Sequence, residues 1–395
     1  MTRLQSISRI LFAAVSLILI GYESHAQLAA TNYHKFFPND SLGKEPTPYA
    51  IIGKQKGADL ILQKNSASIL DGENEMLENI DANIKKPAER RRLMAYLKQA
   101  TNNNDVNYTR SRTKFYYHLA NIFARMRLYP LAMKCFFRTT AQYNNQYTGS
   151  GRLQELPQQN YANETDSLKV DSSYLSINSN DDSVINKNPA VFEGADHFQD
   201  NSPPITYQRI INTFNDGKQA AGYAILVHVK QPAPGKPKIF VLTNTGHTFI
   251  TLIKYNTDST YISLSFGFYP HKDNILSATP IIPSSTSVFK NDSGHRWDEV
   301  IGKFISKRKF EKILLLTKQY HGMKYHLSKN NCTDFGISAA TVAGIDIINT
   351  SGSWPLGKGN NPGVTGQSIL QGNFKNLDTG NFNGLFVDNN PGTVK

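Results

Sequence analysis

Tyr325-His-Leu-Ser-Lys-Asn-Asn-Cys-Thr-Asp-Phe335 decides how the C-terminal half of this chain is read. Asn331 belongs to the residue types that cap helices, because its side-chain oxygen can accept from the unpaired N–H groups of a first turn. Beyond it a helix can run through Phe335, Ile337, Ala340 and Val342, and Gly344 supplies a closing residue. Cys332 therefore falls on the first turn of a predicted helix. A helix N-terminus carries partial positive charge, which favours a thiolate and lowers a thiol's pKa. A cysteine so placed can attack a carbonyl, with its own N–H offered to the developing oxyanion.

Working back from this stretch, Phe304 to Tyr320 reads as another helix, with Ser306 as its cap. Before it lie β-branched and alternating runs. Ala224–Val229, Ile239–Leu242, Thr248–Ile253 and Tyr261–Phe266 are strand candidates, with turns at 232–237 and 256–259. A nucleophilic cysteine needs a base. His247 stands at the start of one of these strands, directly after Gly246, which would leave room beside the imidazole. His228 lies inside a strand and reads as structural, whereas His321 and His326 read as loop or surface residues. No His-x-x-x-His or comparable ligand spacing is present, so the sequence implies no metal and no cofactor.

Three segments together carry a family resemblance: Gly246-His-Thr-Phe-Ile-Thr-Leu252, Phe266-Gly-Phe-Tyr-Pro270 and Tyr325–Phe335. They resemble the permuted branch of the NlpC/P60 papain-like superfamily, of which lecithin-retinol acyltransferase-like proteins are members. There a strand bearing the histidine precedes the cysteine helix, and an aromatic follows the cysteine by three residues, here Phe335. The resemblance covers about residues 207–370. It implies an α+β fold in which an N-terminal helical domain precedes a permuted papain-like domain of antiparallel sheet plus helices. It also implies Cys332 as nucleophile and His247 as general base. The family places a polar side chain on the following strand to orient the imidazole. Ser263, Ser265 and His271 are the candidates in that neighbourhood, and a dyad lacking a third member is the alternative. Ser265, His271, Asn331 and Tyr325 complete the list of orienting or oxyanion candidates.

The remainder of the chain sets the context. Residues 1–26 read as a signal peptide: Arg3 and Arg9, an apolar stretch from Ile10 to Ile20, then Ser24-His-Ala26, giving cleavage at Ala26–Gln27. Eleven apolar residues fall short of the ~20 that a membrane-spanning helix needs. No cysteine follows them to take a bacterial lipoprotein anchor. The expected location is periplasmic or extracellular, with no stable membrane span once the signal is removed. Residues 27–150 read as a helical domain, in which Pro130 separates two helices into a tetratricopeptide-like hairpin. Residues 151–204, rich in Asn, Ser, Asp and Gln, read as a disordered acidic linker. Residues 205–371 form the candidate catalytic domain, and 372–395 read as a loose tail.

Charge supports these divisions. The chain carries a formal +12, yet residues 155–200 hold nine acids against two bases, while both flanking regions are basic. The cluster Arg90–Arg92 is too small for a nucleic-acid site and reads as a solvated helix face. Two cysteines exclude a disulfide-stapled scaffold and a four-thiolate zinc site. A Cys135–Cys332 disulfide is the structural alternative to a reactive thiol. The leading expectation is a bacterial exported cysteine peptidase or amidase acting on peptidoglycan peptides. Its alternatives are an acyltransferase or thioesterase on lipid or acyl substrates, and a non-catalytic interaction protein whose helical hairpin binds a protein partner.

Overall fold

The computed structural model describes residues 86–102, 110–148, 175–178, 180–181, 202–239, 244–271, 277–354 and 357–389. The signal-peptide stretch, the helical domain up to residue 85, most of the 151–204 linker and most of the Ile239–Leu242 strand lie outside them. All of the described residues belong to one unit of the chain.

Seven helices occur among the described residues. They are α1 (Pro87–Asn102), α2 (Arg110–Arg125), α3 (Tyr129–Thr148), α4 (Tyr207–Phe214), α5 (Lys307–Tyr320), α6 (Cys332–Ala343) and α7 (Pro362–Leu370). The central sheet has seven strands: β1 (Pro204–Ile205), β2 (Ala220–Lys230), β3 (His247–Asn256), β4 (Tyr261–Pro270), β5 (Ser287–Asn291), β6 (Glu299–Ile305) and β7 (Phe386–Asn389). Their spatial order is β1-β5-β4-β3-β2-β6-β7, with every neighbouring pair antiparallel. The fold is thus mixed α and β.

β3 alternates poorly because both of its faces are covered, and all ten of its residues are buried. On the front, α6 inserts Phe335 among Phe266, Phe268, Phe289 and Tyr320, with ring centroids 5.1–6.4 Å apart. Phe335 is fully buried, and removing such a ring from water contributes about 1.5–3 kcal/mol. On the back lies the α2–α3 hairpin. The Tyr255 hydroxyl donates to Pro130 O at 2.7 Å, Phe137 meets Phe304 at 5.3 Å, and the Tyr117 hydroxyl donates to Val387 O at 2.8 Å.

Three of these features differ from what the sequence suggests. The hairpin around Pro130 is present, yet its apolar face lies on the sheet instead of closing a domain of its own. Periodicity shows that a helix face is buried but not what buries it. Within the stretch read as a disordered linker, Leu175, Ile177 and Asp181 are buried, and Asp181 forms a buried ion pair with Lys134 at 3.0 Å. The stretch read as a loose tail supplies β7, where Phe386–Asn389 pairs with Glu299–Gly302 and Asp388 meets Arg125 at 3.1 Å. That strand is four residues long and its partner lies more than eighty residues earlier, so local pattern carries little trace of it. Near the helix starts the sequence is more exact. Ser306 caps α5, although Phe304 and Ile305 belong to β6, and Asn331 and Gly344 bound α6.

Candidate functional site

β4 changes partners along its length. Tyr261–Phe266 pairs with β3, and Phe266–Pro270 pairs with β5. The first residues of β3 therefore extend past their last partner on β4, and His247 occupies that opening. Its Nε2 lies 3.1 Å from Asp292 Oδ2, the residue just beyond β5. A carboxylate can only accept, so Nε2 carries the proton and the other ring nitrogen is left for the Cys332 thiol, which is near enough for each group to shift the other's pKa. Carboxylate, imidazole and thiol are thus electrostatically linked.

Gly267 makes this crossing feasible. A Cβ there would sit 2.5 Å from Asp292 Oδ2 and 2.6 Å from His247 Nε2, so any side chain would enter the His–Asp contact. Gly246, expected to leave room for the imidazole, serves another purpose. Its φ is +71°, and a Cβ there would collide with the Lys230 carbonyl oxygen and lie 2.9 Å from Pro362 Cβ. It allows the turn before β3 to run against β2 and α7.

Asp292 is held from several sides. Ser202 Oγ and the Tyr269 hydroxyl each donate to its Oδ1 at 2.6 Å, and its N–H donates to Ser265 O at 2.9 Å. The Tyr269 ring also lies 4.2 Å from the His247 ring. Burial raises the Asp292 pKa, but the His247 imidazole, with His295 and the Ser202 hydroxyl, outweighs it and holds the carboxyl below its ordinary range. For Tyr269, burial and the neighbouring carboxylate push the phenol up, which keeps it a donor.

The thiol has its own setting. Asn331 Oδ1 accepts from the N–H groups of Thr333 (2.8 Å) and Asp334 (3.2 Å), while Asp334 Oδ2 accepts from Asn331 N. Asn331 Nδ2 donates to Leu327 O and Asn360 O. Tyr325 lies close to this thiol, and burial together with Cys332 pushes its phenol well up. Burial raises the Cys332 pKa. The His247 imidazole, the Thr248 N–H and the Thr333 hydroxyl at 4.0 Å reverse this, and the net direction is down. His247 shows the opposite balance: burial lowers it, and the Asp292 carboxylate together with Cys332 pushes it up to about 9. The two directions favour the imidazolium–thiolate pair over the neutral one.

Of the residues singled out from the sequence, Cys332, His247, Tyr325 and Asn331 come together, Asn331 as a cap. Ser265 reaches the site only through its carbonyl; its hydroxyl lies 2.7 Å from Thr251 Oγ1, which in turn meets His228 Nε2 at 2.8 Å. Ser263 is exposed on β4. His271 is exposed past the end of β4, where its backbone donates to Thr286 O. The position that those residues were candidates for is filled by Asp292, inside an Asn-Asp-Ser-Gly stretch that reads as a surface turn. The strand before it, Ser287–Asn291, is not among those expected from the sequence, so no local signal points to it. Both cysteines are free and buried.

Among the described residues, no group of three or more His, Cys, Asp or Glu side chains could hold a metal ion, and no helix is long and apolar enough to cross a membrane. A cavity of about 690 Å³ lies at the opposite end of β2 and β3, lined by Tyr223, Lys254 and Phe310, and takes no part in this arrangement. No protein-family model, no curated protein and no solved structure matches the chain.

Proposed function

We propose that this chain is an exported cysteine hydrolase that cleaves an amide bond, with cell-wall peptides as its substrate class. The observation that carries the reading is the Asp292–His247 hydrogen bond beside a thiol at a helix N-terminus whose pKa the same imidazole lowers. The order of histidine strand before cysteine helix supports the finer description of the fold as permuted papain-like. The signal-like residues 1–26 and the basic charge support export and attraction to anionic wall polymers.

In this mechanism the Cys332 thiolate adds to the scissile carbonyl carbon, and the carbonyl π pair moves onto oxygen. The Cys332 N–H, on the first turn of α6, is the donor offered to that oxygen. His247 passes its Nδ1 proton to the amide nitrogen, the C–N bond breaks, and the amine leaves. Water then gives a proton back to Nδ1 and its oxygen to the acyl carbon. The C–S bond breaks, returning the thiolate and the imidazolium. Asp292 stays ionised throughout, fixing the ring and stabilising its positive charge.

Digestion of purified peptidoglycan by wild type and by Cys332→Ala tests the proposal. Released muropeptides should appear with wild type and fall by about a thousandfold or more in the variant. Equal release from the two proteins would contradict it.

A further inference from the structure

Beside the thiol runs a two-stranded ribbon in which Ser284 and Ser285 pair with His326 and Tyr325. Tyr325 and Leu327 turn inward, but three of the ribbon's apolar residues are outside. Ile281 is 67% exposed, Ile282 37% and Met323 41%. The isoleucines are not on a loose loop. Thr279 Oγ1 accepts from the N–H groups of Ile281 and Ile282, the Thr279 N–H donates to Ile282 O at 3.2 Å, and Ser277 bridges Ile282. Leu327 N–H donates to Pro283 O at 2.9 Å, which ties this turn to the segment leading into Cys332. The fold presents two isoleucines to the outside on a braced turn, and their exposure is a cost unless something covers them.

The charge of the ribbon says what covers them. No Asp or Glu occurs in residues 277–291 or 320–333, whereas Lys290, Lys324 and Lys329 do, the last two exposed. Braced apolar side chains interspersed with lysines suit a surface that is anionic at its headgroups and apolar beneath them. A polyanion alone would gain nothing from the isoleucines. A folded protein partner would need a broad, shape-matched patch, and a narrow ribbon does not offer one.

We propose that the ribbon 277–287 with 323–329 docks this protein on an anionic lipid surface, with Ile281 and Ile282 entering the headgroup boundary and Lys324 and Lys329 meeting the phosphates. Tyr325, in the same ribbon, lies against Cys332, so docking brings the thiol close to the lipid surface. The proposal does not rest on the reading of the thiol as catalytic.

The test is cosedimentation of the full chain with vesicles of phosphatidylcholine, alone or mixed equally with phosphatidylglycerol. The protein should partition onto the mixed vesicles only, and less at high salt. The double variant Ile281→Glu/Ile282→Glu should lose about tenfold or more in partition coefficient. Lys324→Glu/Lys329→Glu should fall by a similar factor. Phe382→Glu, an exposed aromatic elsewhere, and Cys332→Ala should bind as wild type. All the charged replacements are at exposed positions, so an unchanged melting temperature verifies folding. No partition of wild type onto the mixed vesicles would overturn the proposal. So would a double isoleucine variant that binds as wild type, since binding would then come from charge alone.

Discussion

Cys135 and Cys332 are both buried and both free, yet their surroundings push them in opposite directions. Cys135 sits in the middle of α3 on the back of the sheet. Burial drives its thiol well up, and the nearby Asp181 carboxylate drives it further. Cys332 feels the same burial, but it begins α6, and an imidazole made basic by Asp292 faces it. Burial alone therefore does not decide thiol chemistry. What differs is the neighbour's charge and the position in the helix, and one side of the sheet holds an inert core while the other holds a polarised edge.

The largest effect on this contrast should come from Asp292→Asn. Its amide oxygen can still accept from Nε2, but the neutral side chain no longer stabilises the imidazolium and puts an NH2 group among the donors around Oδ1, so peptidoglycan digestion should fall by about a hundredfold or more. The same variant tests the pH linkage. A histidine whose folded pKa is raised stabilises the fold fully below its unfolded value of about 6.5. That stability is lost as pH rises through about 9. Melting temperatures of wild type should thus exceed those of Asp292→Asn near neutral or slightly acid pH, with the margin shrinking through the alkaline range. A margin that grows with pH would contradict the assignment.

On the back of the sheet the expected signature is reversed. Asp181→Asn leaves the Lys134 ammonium buried without its counter-charge, and removal of one partner from such a pair costs about 3–5 kcal/mol. Denaturant unfolding should show that loss, while digestion per folded molecule stays within about twofold of wild type. A catalytic defect without a stability defect would remove the distinction between the two regions. A smaller effect is expected from Ser202→Ala. It deletes one of two donors to Asp292 Oδ1 and should cost severalfold in rate, read as a shift in the acid limb of the pH profile with little change in melting.

The sequence made the polarised edge easier to see than the core behind it. Asn331, Cys332 and Gly344 are local signals, since cap chemistry and helix period act over a few residues, and the structure places α6 between them. His247 was legible as a strand-start histidine. Asp292 was not, because its role arises where the pairing of β4 with β3 ends and its other edge pairs with β5, a feature of sheet topology with no local pattern. Gly267 was hidden for the same reason: its lack of a side chain matters only once His247 and Asp292 meet above it. On the back, the α2–α3 hairpin announced a buried face through Phe115, Leu119 and Phe123, but nothing in that period named the sheet as its cover. Phe386–Asn389 and Leu175–Ile177 are short apolar stretches in polar surroundings, and only contacts distant in sequence bury them.

Alkylation of the two cysteines by iodoacetamide, followed residue by residue with peptide mass mapping across pH, tests the central contrast most directly. Cys332 should react in the folded protein with an inflection below that of an ordinary thiol, and His247→Ala should move that inflection upward. Cys135 should stay protected until the protein unfolds. The account would be contradicted if Cys332 followed an ordinary thiol titration that His247→Ala leaves unchanged, or reacted only on unfolding together with Cys135.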